Sequence, residues 1–327
     1  MRNLTCICLG FLLSLNTFSQ KRFITIDSTK IWINTIGIEN RKKGQPLIVF
    51  ESGYGIAMYN WDKILNGVSE LAPLFTYDRP GIGESDPDNE ILTTRTVPDK
   101  LMKILNYLKL EPPYIMVGHS LGGLYVRSFA VYYPDLLAGL VMIDPADFTE
   151  TMENKKLPYL DILGSVNVVD SLFAKWTREE TENNKKAAMQ GKIDRDGILL
   201  SLLSKNDFYE IRNSKLADIP VHILTGGLYD TPKRFRPAEY NDSLLFRANK
   251  KHTLERWTEV VQSVDKGMLF YSGGAGHFVH CDNPELLISS IKIVLNDFEL
   301  LKKKNEQYKT GSDNSCWDCN CMDRLIR

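Results

Sequence analysis

The chain has almost no net charge. Lys and Arg number 40 against 41 Asp and Glu in 327 residues, a formal charge of −1. Without a basic excess there is no counterion-releasing surface for nucleic acid, and without an acidic excess there is no charge-swollen tail. Cysteine is scarce, at six. Glycine and proline, at 22 and 14, are too few for collagen or a low-complexity chain. No segment repeats at a fixed period, which removes solenoids and propellers. No apolar run reaches the ~20 residues that span a bilayer. What remains is ordinary globular composition, 43% hydrophobic and 25% charged. The length suits one large domain with an insertion, or two small ones.

The first twenty residues differ from the rest. Arg2 is the only charge before Lys21, and Leu4 to Leu15 is mostly apolar. Small residues, Thr17 and Ser19, flank Phe18. The pattern predicts a secretory signal peptide over 1–19, cut after Ser19, and a protein exported to the periplasm or medium. Left uncut, the same segment would serve as an anchor. Cys6 and Cys8 lie inside the apolar run, which argues against a lipoprotein. Cleavage leaves Cys281, Cys316, Cys319 and Cys321. The last three fall in a polar tail, 309–327. Outside the cytoplasm they are able to form a disulfide. A metal site there lacks a second ligand cluster, so no metal is expected.

Residues 20–308 alternate between two patterns. Phe23-Ile24-Thr25-Ile26 and Ile31-Trp32-Ile33-Asn34 predict an antiparallel hairpin. Short apolar runs then recur at Pro46–Phe50, Leu74–Tyr77, Tyr114–Val117, Leu140–Ile143, Val221–Leu224 and Met268–Tyr271, as in strands buried on both faces. Between most of them lie helical patterns, including Leu101–Leu110, Leu121–Tyr133 and Leu286–Phe298. Strand-helix alternation predicts an α/β fold, a mostly parallel eight-stranded sheet with helices on both faces. One stretch, about 145–218, has no strand-like run. Its charged pattern at Trp176–Met189 and amphipathic Ile198–Ile211 predict a helical cap inserted into the domain.

Gly118-His119-Ser120-Leu121-Gly122, placed after a strand and before a helix, is the most informative segment. Gly-x-Ser-x-Gly holds a serine on a strained turn at the sheet edge, and Gly118 and Gly122 let strand and helix nearly touch. The bare pattern arises by chance about 0.1 times in such a composition, so its context carries the weight. A serine hydroxyl needs a base, and the base an orienting acid. Among five histidines, His119 belongs to the turn, His222 to a buried strand and His252 to a helical stretch. His277 and His280 follow the last strand, and His277, after a glycine, is the preferred base. The acid must lie between Ser120 and His277 in the chain. Asp144 directly follows one strand and Asp230 follows another by a short loop. A tetrahedral intermediate also needs two N–H donors. Leu121 supplies one, and Tyr54, in Glu51-Ser52-Gly53-Tyr54-Gly55, the other.

These segments, with Tyr77-Asp78-Arg79-Pro80-Gly81-Ile82-Gly83-Glu84-Ser85, Gly276-His277 and Pro284-Glu285, closely resemble the α/β-hydrolase superfamily from about Lys21 to Gln307. Two features depart from it. The oxyanion loop is Ser52-Gly53 where the family usually has His-Gly, and Asp230 fits the usual acid position only with one extra residue. Val141-Met142-Ile143-Asp144-Pro145 is similar to the subset with its acid one strand earlier, which favours Asp144 over Asp230. Asp78 and Arg79 enter as scaffold.

The resemblance implies hydrolysis of a small-molecule ester or related acyl substrate through an acyl-serine, without a cofactor. Epoxide hydrolases and haloalkane dehalogenases place aspartate where Ser120 stands. The His-Gly-Gly-Pro-Gly loop of proline-cleaving peptidases is missing. Carbon–carbon or amide hydrolysis on the same residues, and a non-catalytic ligand-binding relative, are the alternatives. The cap is expected to line the acyl pocket through residues such as Met152, Leu157, Phe173 or Trp176.

Overall fold

A computed structural model describes residues 19–189, 194–237 and 239–310. The predicted export segment, except Ser19, and the three tail cysteines lie outside those residues. Ser19 opens β1 (Ser19–Ile26), which turns at Asp27 and Ser28, both at positive φ, into β2 (Thr29–Ile36). The apolar runs form β3 (Leu47–Glu51), β4 (Leu74–Tyr77), β5 (Tyr114–His119), β6 (Leu137–Ile143), β7 (Val221–Gly226) and β8 (Gly267–Ser272). Together they make an eight-stranded sheet in the order β1-β2-β4-β3-β5-β6-β7-β8. β1, β2 and β4 pair antiparallel, and every neighbour from β4 to β8 is parallel.

Helices α1 (Asp62–Ser69), α2 (Thr96–Tyr107) and α3 (Leu121–Tyr132) alternate with the first strands. Between β6 and β7 stand α4 (Leu157–Leu163), α5 (Val166–Met189), α6 (Arg195–Lys205) and α7 (Tyr209–Asn213). The amphipathic segment Ile198–Ile211 is divided between α6 and α7. The chain reverses between them, with Asp207 and Phe208 at φ 52° and 48°. Last come α8 (Asp242–Gln262), α9 (Val279–Asp282) and α10 (Pro284–Thr310). Helix α10 runs two residues past the expected boundary at 308.

The period of two along each strand divides the core. Leu47, Val49, Met116 and Met142 pack with residues of α2, α3 and α8. Ile48, Phe50, Val117 and Ile143 pack with residues of α1 and α10 on the other face. Each such side chain, fully buried, stabilises the fold by about 1.5–3 kcal/mol before entropy is counted. Parallel strands sandwiched in this way bring their C-terminal ends to one edge, where the site lies.

Candidate active site

Three loops at that edge meet. Ser120 follows β5, Asp144 follows β6, and His277 follows β8. Ser120 has φ 55° and ψ −119°, a strained state that neighbouring strands hold in place. Its N–H donates to the Ile143 carbonyl (2.9 Å), and its carbonyl accepts from Gly123 and Ala146 (2.9 Å each). Asp144, at φ 40°, donates its N–H to the Leu224 carbonyl at 2.6 Å. Strain of this kind costs on the order of 1–3 kcal/mol per residue. The two turn glycines are required by contact. A Cβ on Gly118 would sit 2.3 Å from the Gly122 carbonyl oxygen, and one on Gly122 would sit 2.1 Å from that of Glu51.

His277 Nδ1 lies 2.6 Å from Asp144 Oδ2. An ionised carboxylate only accepts, so Nδ1 carries a proton, which in the neutral imidazole leaves the lone pair on Nε2. Asp144 Oδ1 also accepts from Thr225 Oγ1 (2.5 Å) and Lys250 Nζ (2.8 Å). Burial pushes this carboxyl up, but the His277 hydrogen bond and the Lys250 charge outweigh it and hold it down at about 2. Asp230 is exposed in the loop after β7, and the carboxylate bonded to His277 is that of Asp144. Of the two acid candidates, the fold brings Asp144 to the histidine.

The remaining histidines are occupied otherwise. His119 is fully buried, and its Nε2 donates to the His277 carbonyl at 3.0 Å, which pins the histidine loop to the turn. Burial first, and then the nearby His277, lowers it to about 4. His280 accepts from Asn60 Nδ2 at 2.6 Å and lies against Trp61 and His119, with ring centroids 4.7 Å apart in each case. Burial lowers it to about 3. His222 reaches Ser290 on α10 at 2.8 Å, and His252 reaches Asp161 on α4 at 2.8 Å. Only the His277 side chain is about half exposed, at 47%.

The loop after β3 runs beside the serine. A Cβ on Gly53 would lie 3.4 Å from Ser120 Cβ. Trp61 Nε1 donates to Ser52 Oγ at 3.0 Å. Leu121 opens α3, so its N–H has no carbonyl partner within its own helix. The Tyr54 hydroxyl donates to Asp194, just before α6. That bond and partial burial raise the phenol to about 12. A cavity of about 310 Å³ opens next to Tyr54, lined by Arg79, Ile82, Leu92, Asp194 and Asp196. Ser120 and His277 are not among its walls. Among the expected cap residues, Phe173 and Trp176 both meet the Tyr159 ring edge-on and Trp176 also meets Tyr240, while Met152 and Leu157 are exposed. Among the described residues no group of His, Cys, Asp and Glu is arranged to hold a metal ion, and no helix is long and apolar enough to cross a membrane.

Sequence reasoning did not find Lys250 or Thr225 on the acid, nor Asp196 beside Arg79. Lys250 sits in a charged helical stretch, Asn249-Lys250-Lys251, with no local mark to separate it from a solvated face.

The α/β-hydrolase fold family's profile matches residues 46–284, and the chain belongs to that family. Its relatives are hydrolases by name in several cases. A (lyso)-N-acylphosphatidylethanolamine lipase of Bos taurus is 29% identical over 138 residues, 39% of this chain and 38% of the lipase. The probable transporter efuK of Hormonema carpetanum is 24% identical over 310 residues, 86% of this chain and 43% of its own. The chain thus spans less than half the length of either relative. A solved α/β-hydrolase fold protein from Burkholderia ambifaria superposes with a TM-score of 0.51 at 16% identity, covering 83% of this chain and 96% of its own. That likeness concerns the fold alone.

Proposed function

We propose that the protein hydrolyses a carboxylic ester, or a related acyl substrate, through an acyl-serine. The observation that carries this reading is the 2.6 Å contact between His277 Nδ1 and Asp144 Oδ2, at the same sheet edge as a serine strained to φ 55°. In this scheme His277 Nε2 takes the Ser120 proton as Oγ attacks the acyl carbon. The N–H groups of Tyr54 and Leu121 hold the oxyanion. His277 then protonates the leaving alcohol, and the acyl-serine remains. Water, deprotonated by His277, attacks that ester, and collapse returns the serine and releases the acid. Asp144 stays ionised throughout and stabilises the imidazolium.

A fluorophosphonate probe tests the scheme, with the adduct mapped by mass spectrometry. The adduct should form on Ser120 and vanish in Ser120→Ala. Asp144→Asn should slow it by at least about 10²-fold, whereas Asp230→Asn should leave it unchanged. A folded chain that takes no probe would overturn the scheme in favour of a ligand-binding protein. We also propose export, on the Leu4 to Leu15 run and its flanks; cell fractionation checks it.

A further inference from the structure

Arg79, one residue into the loop after β4, is 6% exposed. Its Nη1 donates to Glu51 Oε1 (2.5 Å) and to the Ser52 carbonyl (2.6 Å). Its Nη2 donates to the Gly53 carbonyl (2.8 Å) and to Asp196 Oδ2 (3.2 Å). Two of these four acceptors are backbone carbonyls of the loop beside Ser120. The Gly53 carbonyl is held a second time, by the Ile56 N–H at 3.3 Å.

The direction of the Tyr54 N–H follows from this. The cis peptide bond among the described residues is Pro112-Pro113, so Gly53-Tyr54 is trans. In a trans peptide the C=O and the N–H point in opposite directions. With the Gly53 oxygen held against the guanidinium, the Tyr54 N–H faces away from it, and no hydrogen-bond partner takes that N–H among the described residues. A cation on the carbonyl also polarises the amide and strengthens its N–H as a donor.

The guanidinium is itself held from the cap. Asp196, in the first turn of α6, is 8% exposed. Its second oxygen accepts from Tyr125 Oη at 2.6 Å, and Tyr77 Oη donates to Glu51 Oε2 at 2.5 Å. One cation between two carboxylates, each also satisfied by a tyrosine, closes the network. Only a planar fork reaches four acceptors at once, which an ammonium does not.

We propose that Arg79 is the positioning residue that aims the Tyr54 N–H at the developing oxyanion, and that Asp196 locks it there when α6 is docked on the sheet. The proposal rests on the acyl-serine reading. Arg79 touches neither substrate nor reacting atoms; it acts through the Gly53-Tyr54 peptide.

The test uses Arg79→Lys and Asp196→Asn in the full chain, both of which keep a polar group in place. Their melting curves are recorded first. The rate of fluorophosphonate labelling at Ser120 is then compared with kcat and KM on a p-nitrophenyl ester and on its thionoester. In Arg79→Lys, kcat on the ester and the labelling rate should each fall about 10²-fold, with KM within about threefold. Sulfur is a poor hydrogen-bond acceptor, so the thionoester should lose far less. Asp196→Asn should show the same pattern at about three- to tenfold. Equal losses on ester and thionoester, or no loss, would overturn the role of Arg79 while a labelled wild type leaves the acyl-serine reading standing. A wild type that takes no label at Ser120 would overturn both.

Discussion

Asp144 has more partners than the orientation of one imidazole requires. Lys250 places a full positive charge 2.8 Å from the oxygen that His277 does not use. With its carboxyl held at about 2 against an ordinary 3.8, the folded state binds this proton more weakly than the unfolded chain. The stabilisation is therefore complete above about pH 4 and drains away as pH falls toward 2, a swing of about 2 kcal/mol. Urea denaturation between pH 3 and pH 7 should detect it. Asp144→Asn should flatten that part of the profile. Lys250→Met should raise the folded carboxyl pKa toward its unfolded value, so that the loss of stability below pH 4 becomes smaller and ends at a higher pH than in the wild type. An unchanged acid limb in Lys250→Met would show that the ammonium has no hold on Asp144.

At the level of elements, the serine turn is where backbone geometry is least forgiving. A Cβ on Gly122 meets the backbone oxygen of Glu51 at 2.1 Å, and β3 is buried on both sides and has no room to retreat. Gly122→Ala should cost about 3 kcal/mol or more, or lose probe labelling at Ser120 through displacement of the turn. Gly274, in the loop before His277, has nothing within 4 Å of a built Cβ. Gly274→Ala should stay within about 0.5 kcal/mol of the wild type in a thermal melt.

The same contrast explains what the sequence reveals and conceals. Strands β3 to β7 were legible because burial on both faces demands unbroken apolar runs, and the half-buried β8 because its run Met268–Tyr271 is apolar all the same. The serine turn was legible because its glycines sit at fixed local spacing. The choice between Asp144 and Asp230 rested only on the likeness of Val141-Met142-Ile143-Asp144-Pro145 to one subset of the family, since the histidine lies 133 residues from Asp144 and no periodicity records which loop it reaches. Lys250 and Asp196 share that difficulty, at separations of 106 and 117 residues from their partners. Helix α8 was faint for another reason. Few of its 21 residues are buried, Leu245, Trp257 and Val261 among them, too few to make a stripe. The break at Asp207 and Phe208 has no glycine or proline to announce it.

For the molecule as a whole, one sheet serves two cores. Ile104 on α2 and Ile291 on α10 are both fully buried, in different cores. The strands between them contribute alternate residues to each face, so neither core is complete without the other. Unfolding should then be a single transition across both faces, not one face at a time. Ile104→Ala and Ile291→Ala should each cost about 2–5 kcal/mol. Separated by the sheet, they share no packing partner and should add to within about 0.5 kcal/mol in the double variant. Hydrogen exchange gives the sharper readout, followed on peptides from α2 and α10. Either substitution should lower the protection of the slowest amides in both helices by the same amount, because those amides exchange only when the sheet opens. If protection fell only in the helix that carries the substitution, the two faces would be separate folding units, and the site at their shared edge would depend on each of them independently.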